Sequence, residues 1–315
     1  MRLGFPFVGR EPGDLAGIRS SSSRPALPTR RKEGAGLERG SLTPELLLAK
    51  AAHENFPVAL RLLPRSVRRH LMAIYGFARL VDDIGDEASG DRLVQLDAID
   101  ADIDRIYRGE APKHPLLAEI ATTVRAFDVP PEPLRRLVRA NRQDQTVRRY
   151  RNPDELVGYC ELSANPVGHL VLYVLGSATP ERLALSDSIC TGLQLVEHWQ
   201  DVAEDLARDR IYLPQEDMAR FGVDERDLAA PSAGGPVRRL MEFEVSRAGI
   251  MLSEGAPLIA TLHGWARLAV AGFLAGGRAA LAAIVAAEYD VLSYSPKPTR
   301  RRLARELSSV LLRKG

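Results

Sequence analysis

The chain has 315 residues, 45% hydrophobic and 27% charged, enough apolar material for one large domain or two small ones. Its 43 basic and 41 acidic side chains leave a net charge of +2, which excludes the basic footprint of a general nucleic-acid binder. The two cysteines, Cys160 and Cys190, make neither a zinc spacing nor a disulfide framework, which suits a reducing compartment.

Residues 1–40 carry the serine run Ser20 to Ser23, the cluster Arg30-Arg31-Lys32 and no apolar period. They read as a disordered extension. They lack the compact apolar segment of a secretory signal, and Glu11, Asp14, Glu33 and Glu38 argue against an organelle-targeting leader. From Leu42 onward apolar residues recur at helical spacing, with breakers at Pro64, Pro130-Pro131, Asn152-Pro153, Thr179-Pro180 and Pro231 to Pro236. The pattern predicts helices near 43–53, 65–86, 91–107, 115–126, 133–148, 153–175, 181–206, 236–260, 264–290 and 299–313, with Thr43, Asp154 and Thr299 as caps. The most apolar stretch, Leu268 to Ala287, is interrupted by Gly272, Gly276, Gly277 and Arg278 and reads as a buried helix rather than a membrane span. The expected class is all-α. One helical domain occupies 41–295, and a basic amphipathic helix follows over 296–315. In that helix Arg300, Arg301, Arg302, Arg305, Arg313 and Lys314 interleave with Leu303, Leu307, Val310, Leu311 and Leu312, a pattern suited to an anionic membrane surface.

Two segments carry carboxylates at i, i+4 spacing: Asp82-Asp83-Ile84-Gly85-Asp86 and Asp201-Val202-Ala203-Glu204-Asp205. Like charges one turn apart repel, so two such pairs point to a positive ligand between them. Magnesium ions holding a diphosphate are the natural candidate, since magnesium takes carboxylate oxygen and bridges to phosphates. At 100° per residue Leu71, Tyr75, Ala78 and Asp86 all fall within about 40° of Asp82, so a core-facing stripe runs into two acids. Arg79 lies on the same side. The second segment is less decisive. Gln194, Glu197, His198, Glu204 and Asp205 share one polar face with Asp201, opposite Leu195, Trp199, Val202 and Leu206, and alone this passes for a solvated helix.

These residues, with Phe56, Arg61-Leu62-Leu63-Pro64, Tyr75 through Asp86, Gly158-Tyr159-Cys160, Gln194 through Asp205 and Arg210-Ile211-Tyr212-Leu213-Pro214, occur in one order over about 45–290. In that order they resemble the squalene/phytoene synthase family of head-to-head isoprenyl diphosphate synthases. Glu54-Asn55-Phe56-Pro57-Val58, Ser163 through Gly168 and Trp199 through Asp205 are similar to its bacterial hydroxysqualene synthases in particular. The resemblance implies a helical bundle around a central cavity. It implies Asp82, Asp86, Asp201 and Asp205 as metal ligands, with Glu197 standing where the family often has Asn. Three Mg²⁺ ions and no NADPH follow from it. It also implies Tyr75, Arg79, Tyr159, Asn165 and Tyr212 in catalysis, with Phe56, Arg79, Asp144, Gln194 and Gln200 at the substrate.

Two departures matter. Gln200 replaces the Arg that condensing members place before the second motif, and the polar Asn165 falls in a normally apolar wall, where it could hold a water. The expected reaction is therefore conversion of presqualene diphosphate to hydroxysqualene. Head-to-head condensation to presqualene diphosphate, squalene or phytoene is the alternative, and a non-catalytic assembly factor of the same fold is the reading from another class. The expected setting is the cytoplasm, with peripheral contact at the inner face of the membrane, pathway enzymes as possible partners and no nucleic acid.

Overall fold

The computed structural model describes residues 63–312. The expected helix over 43–53, the extension over 1–40, Phe56 and the 54–58 motif lie outside the described residues. Among the described residues there are fourteen α-helices, and the one β contact is an isolated parallel bridge between Arg149 and Ile211. The fold is an all-α single domain, as the sequence leads one to expect.

The first three helices are α1 (Arg65–Asp86), α2 (Arg92–Tyr107) and α3 (Leu117–Phe127). Asp91 caps α2 by accepting from the Leu93 and Val94 amides at 3.0 and 3.2 Å. Then come α4 (Pro131–Gln143), α5 (Pro153–Ser163) and α6 (Asn165–Val174). The expected 153–175 helix is thus two, because Pro166 has no amide proton and its ring crowds the preceding turn. Asp154 does not cap α5. Asn152 does, accepting from the Glu155 amide at 2.9 Å, while Asp154 sits in the first turn.

The long α7 (Pro180–Gln200) stops at Asp201, whose φ of −109° and ψ of 18° leave the helix, and α8 (Val202–Leu206) resumes after it. The expected 181–206 helix is therefore broken at its acidic motif. Two short helices that the pattern did not predict follow, α9 (Gln215–Phe221) and α10 (Glu225–Leu228). The last four are α11 (Gly235–Gly255), α12 (Leu258–Thr261), α13 (Gly264–Ala286) and α14 (Arg300–Leu312). Pro257 separates α11 from α12 where one helix over 236–260 was expected. Thr299 caps α14 as expected, its hydroxyl accepting from the Arg302 amide at 3.3 Å.

Helix α7 is the axis of the core, with α5, α6, α11 and α13 packed around it. Trp199 and Leu195 on it are fully enclosed. Helix α13 is long and apolar enough to cross a bilayer, yet 61% of its most apolar window is buried inside this fold, so it serves as a core helix here. The apolar side of α14 is also taken up, with Val310 buried and Leu303, Leu307 and Leu311 packed on the core.

One close approach sets the α7–α11 distance. A Cβ on Gly255 would lie 2.5 Å from Ile189 Cγ1 and 2.6 Å from the Leu185 carbonyl oxygen. Backbone cannot yield as a side chain can, so Gly255→Ala should cost about 1–3 kcal/mol in denaturant unfolding.

Beneath the same helix lies a buried ion cluster. The Glu244 carboxylate is fully buried, and Arg247 Nη1 reaches it at 2.7 Å while also donating to Asp217 at 2.8 Å. Burial, reinforced by Asp217 against the pull of Arg247, pushes the Glu244 carboxyl up to about 8. Its folded value lies above the ordinary 4.5, so the folded state holds the extra proton between those limits. Stability from this group is full below the unfolded value and is lost as pH rises toward about 8. Urea unfolding from pH 5 to 8.5 should therefore show a downward slope in the wild type that Glu244→Gln flattens.

Candidate active site

Both acidic motifs sit at helix C-termini. The first ends α1. Asp82 is only 2% exposed, and its Oδ1 accepts from Asn141 Nδ2 on α4 at 3.1 Å. Gly85 makes this contact possible, since a Cβ there would lie 2.1 Å from Asn141 Oδ1. Gln145 Nε2 then donates to the Gly85 carbonyl at 3.0 Å, tying α4 to the motif. Arg79 Nη2 pairs with Asp83 at 2.5 Å, and its Nε is buried without a hydrogen-bond partner. Tyr75 lies half-buried one turn earlier. Asp86 pairs with Arg210 at 2.8 Å.

Arg210 links the two motifs. It also lines an acidic pocket with Gln194, Glu197, His198, Asp201, Glu204, Asp205, Arg208 and Tyr212. A solvated face would not look like this, because Gln194 and His198 are buried and Asp201 and Asp205 are partly buried. Burial, with Glu204 and Asp205 beside it, pushes the Asp201 carboxyl up to about 6. Ser295 donates to Asp201 Oδ1 at 3.1 Å. Gln194 Nε2 donates to His198 Nε2 at 3.1 Å, which leaves the imidazole proton on Nδ1, 3.9 Å from Asp205 Oδ2. The His198 ring stacks on Tyr212 with centroids 3.6 Å apart.

The turn carrying Arg210 and Tyr212 is fastened from outside. The Ile211 amide donates to the Arg148 carbonyl at 3.0 Å, and the Arg149 guanidinium pairs with Asp209 and Glu225 at 2.9 and 2.8 Å. Arg148 and Arg149 thus serve this turn. Asp144 is buried and accepts from the Tyr159 hydroxyl at 2.9 Å, within a cluster of Tyr150, Tyr159 and Tyr212 rings.

Beside the acidic pocket lies an apolar cavity enclosing about 790 Å³ of space between atoms, its open mouth included. Val167, Val171, Leu193, Val270 and Phe273 are among its walls, with the half-buried Cys190. Gln194 and Glu197 line both spaces, so the cavity adjoins the carboxylate pocket at these side chains.

The expected residues distribute unevenly between the two spaces. Glu197, Asp201, Asp205, Gln194 and Tyr212 meet at the acidic pocket, and Arg210 ties Asp86 to it. Tyr75 and Tyr159 are not among the cavity-lining residues. Nor is Asn165, whose Oδ1 accepts from Thr191 Oγ1 at 3.0 Å; its neighbours Ala164, Val167 and Gly168 form the wall instead. Gln200 also points elsewhere, donating from Nε2 to the Pro296 carbonyl. Sequence reasoning missed Arg210, Asn141, Ser295 and Phe273 as site residues. Only Arg210 had a signal, within the segment Arg210 to Pro214.

Among the described residues no three His, Cys, Asp or Glu side chains are placed to hold one metal ion. The donor chemistry nonetheless fits a divalent cation. The set is all oxygen, and the raised Asp201 carboxyl reports crowded negative charge that a cation would relieve.

A helical bundle that sets a carboxylate pocket beside a hydrocarbon-lined cavity defines the isoprenoid-synthase class of fold. The squalene/phytoene synthase family matches residues 49–303, and the chain belongs to that family. Its chemistry is the head-to-head chemistry of prenyl diphosphates, of the divalent-cation-dependent kind. Hydroxysqualene synthase from Sinorhizobium fredii is 32% identical over 210 residues, 65% of this chain and 70% of the relative. Phytoene synthase from Mycobacterium tuberculosis is 32% identical over 217 residues, 67% of this chain and 71% of the relative. The crystal structure of squalene synthase HpnC from Alicyclobacillus acidocaldarius superposes with a TM-score of 0.73 at 38% identity, covering 81% of this chain and 95% of that one.

Arg210→Gln should lower turnover by about tenfold or more with unchanged circular dichroism, because Asp86 loses a charge-assisted bond. Gly85→Ala should lower it as well, by displacing Asn141 from Asp82.

Proposed function

We propose that this chain removes diphosphate from a long-chain prenyl diphosphate in the head-to-head branch of isoprenoid synthesis. One observation carries the reading. An anionic pocket and an apolar cavity share Gln194 and Glu197, so a single substrate could set its diphosphate in one and its hydrocarbon in the other.

The metal is Mg²⁺, three ions by the resemblance, with Asp82, Asp86, Glu197, Asp201 and Asp205 as the residues that would hold it. When bound it supplies charge stabilisation to the departing diphosphate. The chain's own groups do the rest. Arg79, with a buried Nε that has no hydrogen-bond partner, offers a donor to phosphate oxygen. Tyr212, held flat by His198, and Gln194, fixed through the same imidazole, orient the diphosphate end. The apolar walls exclude water from the hydrocarbon end, so the allylic or cyclopropylcarbinyl cation lives long enough to rearrange. Tyr159 acts at one remove, fixing Asp144.

Two reactions of this branch fit. The phytoene synthases among the relatives support condensation of two prenyl diphosphates. The hydroxysqualene synthases support the finer reading, presqualene diphosphate plus one water to hydroxysqualene and diphosphate without NADPH, the water adding to the rearranged cation and giving up a proton. Gln200 favours the second, since its amide is committed to Pro296 where the resemblance places, in condensing members, an Arg that contacts diphosphate. A non-catalytic assembly role has less behind it, because both acidic motifs are intact. The working place we propose is the cytoplasmic face of the membrane, beside the enzymes that supply the substrate and take the product.

Incubating the purified protein and Mg²⁺ with farnesyl diphosphate or presqualene diphosphate, without NADPH, separates the readings. Alcohol from presqualene diphosphate alone supports the finer one, and consumption of farnesyl diphosphate supports condensation. Asp82→Ala and Asp201→Ala should each abolish turnover with helicity retained; a substantial residual rate in either counts against the proposed metal ligands.

A further inference from the structure

The last helix keeps a charged side that its packing leaves open. Arg300, Arg301, Ala304, Arg305, Ser308 and Leu312 of α14 are exposed, and none of them is acidic. Arg301, Arg305, Ser308 and Leu312 follow one another at i+4, i+3 and i+4, which makes a single stripe along the helix.

The direction of α14 decides what lies next to that stripe. Arg267 Nη2 donates to the Leu311 carbonyl at 3.1 Å, and Arg302 donates to the Ala282 carbonyl. The two helices are therefore antiparallel, and the end of α14 meets the start of α13. Leu312 is 80% exposed there, and Trp265, two residues before Arg267, is 49% exposed. The stripe thus ends in an exposed Leu and an exposed Trp, with Arg301 and Arg305 behind them.

The cavity belongs to the same end of α13. Val270 and Phe273 in its wall follow Trp265 by about 7.5 and 12 Å of helix rise. Cationic side chains suit anionic headgroups, and an indole suits the boundary between headgroup and acyl chain.

We propose that the outward stripe of α14, together with Trp265 and Leu312, docks on the anionic headgroup layer of a lipid bilayer. The helix then lies along the surface. Its arginines face phosphate, Trp265 and Leu312 enter the boundary, and the open apolar cavity is held near lipid. The docking surface is thus the polar side of the helix with two apolar anchors, and not the Leu303–Leu311 side that packs on the core.

The test uses the full chain and vesicles alone. It needs neither Mg²⁺ nor substrate, so its outcome is separate from that of the catalytic reading. Vesicles of phosphatidylcholine with one quarter phosphatidylglycerol should pellet the protein at low salt, and pure phosphatidylcholine should not. Tryptophan emission should shift to the blue on binding, since the only other tryptophan, Trp199, is already fully buried. Arg301→Glu with Arg305→Glu should weaken binding by about tenfold or more. Trp265→Ala should weaken it less and abolish the emission shift. The substituted side chains are exposed, so the thermal midpoint and circular dichroism should stay at the wild-type values. Equal pelleting on pure phosphatidylcholine, wild-type pelleting by the double variant, or binding to RNA with none to anionic vesicles would each overturn the proposal.

Discussion

Negative charge at the wrong end of a helix needs a partner, and this molecule concentrates it at two such ends. The macrodipole places partial negative charge at a helix C-terminus, where Asp and Glu are disfavoured. Helix α1 nevertheless ends in Asp82, Asp83 and Asp86, and α7 ends against Asp201, while Glu204 and Asp205 fall in the first turn of the short α8. Desolvation adds to the cost, since Asp82 is buried and Asp201 largely so. The architecture around both ends is a set of answers to this charge. Asn141, Arg79 and Arg210 answer the first group, and Ser295 and Arg210 stand near the second.

Arg210 carries the most consequence among these. It comes from an irregular turn, so its position depends on whatever fastens that turn. The β-bridge at Ile211, the Arg149 ion pairs and the Tyr150–Tyr212 stacking all do so from outside the pocket. Surface pairs such as Arg149–Glu225 add little stability by themselves. Their role here is geometric, in that they aim one guanidinium at Asp86. On the other side, the absence of a Cβ at Gly85 lets α4 come close enough for Asn141 to reach Asp82. The site is thus held by side chains from α1, α4, α7 and two irregular turns.

Much of this was legible beforehand. Periodicity located α1 at 65–86 and marked Asp82 and Asp86 as acids on a core-facing stripe, because a helix maps sequence spacing directly onto direction. The second motif was harder to read. It stands where α7 breaks at Asp201, and a wheel drawn through a break assigns directions that the chain does not take. Part of the polar face it drew, Gln194 and His198, is buried, with Tyr212 of the irregular 207–213 segment stacked on His198, and that segment has no period to read. Asp154 was mistaken for a cap because Asn152, two residues earlier, offers the same chemistry. Tyr159 was expected in catalysis, yet its hydroxyl is turned to Asp144, a partner on a different segment.

Residue order alone determined the helical class, the positions of most helices, the two acidic motifs and the family. Each of these depends on spacing along one segment, which sequence contains in full. Which acids share a guanidinium, which wall the hydrocarbon cavity has, and where Asn165 and Gln200 turn depended on how separate helices pack. Those outcomes come from sums over side chains far apart in the chain: Gly85 with Asn141, Thr191 with Asn165, Gln200 with Pro296. No local spacing encodes them. The same holds for α14, whose amphipathic pattern is plain in the sequence, while packing against α13 decided that Leu303, Leu307 and Leu311 turn inward and Arg300, Arg301 and Arg305 remain outside.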